Sequence, residues 1–233
     1  MSESNRVEKF ESVVEKPITS LTIGGNQYRL IKEEDENWMT EKIMEIEEFM
    51  SNNDGKGKSD EEKDELYRKS QEMWFPLGGP DGRLNNVKYG LILNRDEYRL
   101  LTELLRDKME YDINTLFFAI ELTSFLGKTL ENNRYANDVD PIVFDISATD
   151  MTYLYTVISQ HKCKGLSKKT YTFANIIRRI GDISKVINHF DNATKDLAAN
   201  IQTWVACFDD NVSMEQKKES ISGEMLGEMV TEK

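Results

Sequence analysis

Between Phe173 and Phe208, apolar side chains recur every three or four residues: Phe173, Ile176, Ile180, Ile183, Ile187, Phe190, Leu197, Ile201, Trp204 and Phe208, with Thr194 the only lapse. This is the helix period, held over about five heptads. Unbroken, such a helix is roughly 54 Å long at 1.5 Å per residue, longer than most small domains are wide. The rest of the chain must therefore be arranged along it. Asp191-Asn192, residue types that favour caps and turns, leave open a division into two helices.

The width of the stripe decides what it packs against. With Phe173, Ile180, Ile187, Thr194, Ile201 and Phe208 at heptad position a, position d holds Ile176, Ile183, Phe190, Leu197 and Trp204. The flanking e and g positions carry Ile177, Val186, Ala193, Ala198, Val205 and Cys207 where a two-stranded coiled coil places Glu and Lys. A stripe this wide suits a helix with several neighbours, so we expect a bundle core rather than a dimer seam.

The chain has 233 residues and a net charge of −12, enough length for a real core and a charge that disfavours non-specific contact with nucleic acid or anionic membrane. Its two cysteines, Cys163 and Cys207, form no disulfide framework or metal quartet, which points to a reducing compartment. No window is apolar enough to cross a membrane, and the polar N-terminus reads as neither signal peptide nor anchor. A cytoplasmic location is expected.

In chain order, residues 1–16 read as a flexible arm. Two β-prone runs, 18–23 and 27–31, flank Gly24-Gly25-Asn26 and predict a hairpin. From Lys32 to Met50, eight carboxylates face two lysines while Trp38, Met39, Ile43, Ile46, Phe49 and Met50 keep helical spacing, which predicts an acidic amphipathic helix. Residues 51–64 read as a linker, and 65–208 as the helical bundle core. Within that core a short helix is expected over Glu65–Phe75, followed by irregular chain from Pro76 to Gly82, where two prolines and three glycines fall together. Tyr89–Leu93 is read as a short strand or a lead-in to the next helix.

Asn94 followed by Glu97 predicts a capping box opening a helix that, uninterrupted, ends at Gly127. Its Leu116–Leu126 segment is apolar nearly all round, so it is expected to be the most deeply buried helix. Lys128 to Asp140 reads as a polar loop, Ser147 as the cap of a further helix, and Ser167 as the cap of the long one. Residues 148–162 and 168–190 should form a helical hairpin. The fold class is thus mainly α: a helical bundle with a long C-terminal spine helix and a small N-terminal β-hairpin.

Few residues invite chemistry. His161 and His189 are the only histidines, and His161-Lys162-Cys163 holds its Cys and His too close in sequence for an activated thiolate pair. No nucleophile elbow, phosphate loop, dinucleotide fingerprint or zinc spacing occurs. We therefore expect no enzyme, and no catalytic, cofactor-binding or metal residues.

Two segments suggest contact with other molecules. Lys162, Lys164, Lys168, Lys169, Arg178, Arg179 and Lys185 face the single acid Asp182, a basic stretch able to meet phosphate or an acidic protein surface such as the 32–50 helix. The acidic tail, 209–233, carries Ile221, Met225, Leu226, Met229 and Val230 at spacings that fit an anchor helix, equally for a partner's groove or for the protein's own body. A small hairpin ahead of acidic helices, with charged arms at both ends, resembles the build of bacteriophage assembly and accessory proteins. These readings converge on a non-catalytic interaction protein, an assembly factor or structural component of a larger complex, with a protein partner or a homo-oligomer. The alternative is a nucleic-acid-associated regulator using the basic 161–185 patch.

Overall fold

A computed structural model describes residues 17–108, 112–162 and 165–208. The expected spine is there as one helix, α7, Lys168–Ala206, about 58 Å long and undivided at Asp191-Asn192. Ser167 caps it, accepting from the Thr170 amide at 3.2 Å. Phe173, Ile176, Ile180, Ile183, Phe190, Leu197, Ile201 and Trp204 are all buried along it. Val186 is buried too, while Ile187 is only half-buried. The stripe is as wide as its e and g residues implied.

The N-terminal hairpin pairs β1, Ser20–Ile23, with β2, Asn26–Arg29, in antiparallel register, Ser20 opposite Arg29 and Ile23 opposite Asn26. Gly24 and Gly25 both have positive φ, 59° and 84°, the two-residue turn that matches strand twist and that side chains resist. The chain then runs through the buried Leu30 and Ile31, and Ile31 bridges to Tyr89. That ties the hairpin to the core, since two short strands alone are marginal in water.

Helix α1, Glu33–Asn52, buries Met39 and Ile46 and turns most of its carboxylates outward, with Asp35 and Glu36 half-buried. Helix α2, Asp60–Gly78, opens on a capping box between Ser59 and Glu62. It starts earlier and ends later than the expected 65–75. Pro76 lies inside its last turn, where the lost bond falls on the carbonyl of the exposed Glu72. The chain between α1 and α2 is anchored: Trp204 donates its indole N–H to the Asn53 carbonyl at 3.1 Å, and a Cβ on Gly55 would lie 2.1 Å from the Phe208 ring. A single turn, α3, Arg83–Asn86, brings Arg83 onto Asp35 at 2.7 Å and over the Trp38 ring.

A second pair of strands was half legible. Strand β3, Lys88–Leu93, pairs antiparallel with β4, Ile142–Ser147, Lys88 opposite Ser147 and Leu93 opposite Ile142. Strand β4 alternates buried Ile142, Phe144 and Ile146 with exposed Val143 and Asp145, the period of two that a half-covered strand requires.

Helix α4, Arg95–Glu103, opens on the expected Asn94–Glu97 capping box. The expected continuous helix to Gly127 is not formed. A π-helical turn, Leu104–Lys108, follows α4, and a separate helix α5, Ile113–Asn132, runs through Gly127. Helix α6, Ala148–Ser159, is capped by Ser147 and packs on α7 as the expected hairpin. Helices α1, α2, α4 and α6, with strand β3, surround α7, which makes it the axis of a mainly helical bundle.

Candidate interaction surface

Helix α5 overturns the expectation that it is the most deeply buried. Ala119, Leu122 and Leu126, spaced three and four apart, form its covered line. Tyr153 of α6 donates to the Thr115 carbonyl at 2.8 Å and stacks on Phe118, pinning the first turns. At the other end a Cβ on Gly127 would lie 3.7 Å from the Tyr98 hydroxyl. The opposite line is open. Ile113 is 72% exposed, Phe117 62% and Ile120 55%, and Leu116, Phe118 and Phe125 are exposed as well. The helix is apolar nearly all round, and among the described residues only one side of it is covered. The nearest elements are β4, the π turn and α6, which cover one flank of a helix at the edge of the bundle.

A groove of about 450 Å³ runs beside this open line, between Leu105 and Arg106 of the π turn and Leu116, Ala119, Ile120, Thr123 and Ser124 of α5. Surface on the order of 500 Å² is apolar here, at the upper end of what a monomer normally leaves in water. Sequence reasoning missed it because apolar residues on every side of a helix normally signal full burial.

The basic stretch is placed around α7 rather than along one side. Arg179 is drawn inward: its guanidinium donates to the Glu97 carboxylate at 2.5 Å and to the Ile92 carbonyl at 2.8 Å. Glu97 is 5% exposed and also accepts from the Asn94 amide at 2.9 Å, so one carboxylate caps α4 and binds α7. Lys169 pairs with Glu103 at 2.9 Å, and Lys185 with Asp182 at 3.2 Å. Lys162, Lys168 and Arg178 are exposed. Lys168 and Arg178, ten residues apart in the helix, are about 80° apart in direction. Lys164 and the tail residues Ile221, Met225, Leu226, Met229 and Val230 lie outside the described residues.

His161 packs edge-on against Phe173, with ring centres 5.2 Å apart. Among the described residues no group of three His, Cys, Asp or Glu could hold a metal ion. No described helix is long and apolar enough to cross a membrane. No known protein family, curated protein or solved structure matches the chain.

Proposed function

We propose that this protein is non-catalytic and works by holding proteins together, as an assembly factor or a structural component of a larger complex. The observation that carries the reading is the open line of α5, where Ile113, Phe117 and Ile120 face water beside a groove of mixed lining. Keeping such side chains in water costs about 1.5–3 kcal/mol each relative to burying them, so a face of this kind favours covering by another molecule. The basic stretch supports nucleic acid less well. Arg179, Lys169 and Lys185 have carboxylate partners within the chain, and a phosphate backbone would have to displace them.

The test is chromatography with light scattering on the full chain, at low and moderate salt, with and without short DNA and RNA duplexes. Protein complexes that ignore the duplexes and dissolve on Phe117→Glu with Ile120→Glu are the expected result. A chain that shifts onto duplex at low salt, and loses that shift on charge reversal at Lys168 and Arg178, would move the function to nucleic acid.

A further inference from the structure

We infer that the open line of α5 is a self-complementary interface and that its occupant is α5 of a second copy, packed antiparallel about a two-fold axis. The inference rests on the interaction reading above and names its partner. Three observations on this face converge on it.

The first is charge. Each chain carries −12, so two copies repel wherever their acidic surfaces meet. From Ile113 to Gly127 the helix has a single charged residue, Glu121, so its open line can meet the same line of another copy with little of that repulsion. The second is the placement of Glu121 and Lys128. Both are exposed, and seven residues, two helical turns, put them on the same flank of the open line. Neither has an ion-pair partner among the described residues. When two helices pack antiparallel, like flanks meet, so Glu121 of each copy lies toward Lys128 of the other and the pair is made twice. Parallel packing would set this flank against the opposite one, which carries Leu116.

The third is area. Two faces on the order of 500 Å² give about 1,000 Å² of covered surface, the lower bound for a specific interface and what a reversible homodimer needs. The tail of the same chain is a poorer occupant. Phe208 is fixed against Gly55 at the far end of the spine, whereas α5 lies beside Tyr98 and Tyr153. Glu97, next to Tyr98, meets α7 at Arg179, about 44 Å from residue 208 along the helix. Residues 209–220 reach at most about 43 Å when fully extended, so the 221–230 segment would meet α5 of its own copy only with that stretch drawn out to its limit.

Sedimentation equilibrium of the full chain over a wide concentration range tests this directly. The expected species is a reversible dimer of twice the 27.0 kDa chain mass. Phe117→Glu with Ile120→Glu should weaken it at least about a hundredfold while leaving the circular dichroism of the chain unchanged, because both side chains face water. Glu121→Lys alone should weaken it about tenfold, and Glu121→Lys combined with Lys128→Glu should restore it.

Persistence of the dimer in the Phe117, Ile120 variant would overturn the interface, and loss of the dimer on Met225→Glu with Met229→Glu would assign the groove to the tail. Failure of the charge swap to rescue would overturn the antiparallel arrangement. A chain monomeric at every concentration would overturn the second copy as occupant. Retention of a discrete protein from a native extract by the parent, lost in the Phe117, Ile120 variant, would then leave the interaction reading standing. Retention of none would end both.

Discussion

Helices α7 and α5 are written in nearly the same alphabet, isoleucine, leucine and phenylalanine at three- and four-residue steps, yet one is covered along nearly its whole apolar stripe and the other on only part of its apolar surface. Helix α7 has polar residues to spare for its water-facing side, and its stripe meets α1, α2, α4, α6 and β3 in turn. Helix α5 lies at the edge of the bundle, with β4, the π turn and α6 on one flank only. Periodicity states which side chains share a direction. Whether that direction holds a neighbour depends on where the helix is placed, and no local pattern encodes it.

The comparison breaks most readily at the spine. Arg179→Ala leaves Glu97 buried without its cation, and stability should fall by about 3–5 kcal/mol in urea denaturation, since removing one partner of a buried pair costs far more than the pair contributes. A loss under about 1 kcal/mol would mean that Glu97 finds water or another donor and that the α4–α7 junction is looser than its geometry. Close behind comes Ile180→Ala, at a fully buried position facing the core, with an expected loss of about 2–5 kcal/mol from lost burial and the cavity left behind.

How much of this could be read beforehand follows the same division. The α7 stripe, the Asn94–Glu97 box, the Ser147 and Ser167 caps and the Gly24-Gly25 turn are local, each satisfying its own backbone groups within a few residues, and each forms as its residues require. Strand β4 carried its alternation openly at Ile142, Phe144 and Ile146, but six residues give a weak signal until β3 is known to need an edge partner. Pro76, with Pro80 and three glycines beside it, reads as a stop, although a proline in a helix's last turn removes only one bond. The inward turn of Arg179 was not legible, because Glu97 stands 82 residues away in sequence. The open face of α5 was hidden for the reason already given: its pattern is that of a buried helix.

Smaller effects sharpen the contrast at the α5–α6 contact. Tyr153→Phe removes the hydrogen bond to the Thr115 carbonyl and should cost about 1 kcal/mol. Burial also pushes the phenols of Tyr89, Tyr98 and Tyr153 above their ordinary value. Each is held neutral more firmly in the folded chain than in the unfolded one. Their contribution is therefore fully present below about pH 10 and lost as pH rises through the folded values. Urea midpoints should hold up to about pH 10 and fall above it, and Tyr153→Phe should flatten that fall. At Thr194 the sign reverses. Its hydroxyl is buried with no hydrogen-bond partner among the described residues, so Thr194→Val should gain up to about 1 kcal/mol.

The smallest expected effect tests the comparison most sharply. Ile120→Ser exchanges an apolar for a polar side chain, as drastic in composition as any change at Ile180. On a face open to water it should alter the stability of the separated chain by no more than about 0.5 kcal/mol. The measurement must be made at chain concentrations low enough to keep copies apart, because a dimer lends its binding energy to the folded state and would make the same substitution look destabilising. A loss comparable to Ile180→Ala at that dilution would mean that α5 is core after all. Near-neutral stability, with association weakened in the same variant, would separate the two helices by what they serve: α7 holds the chain together, and α5 joins it to another.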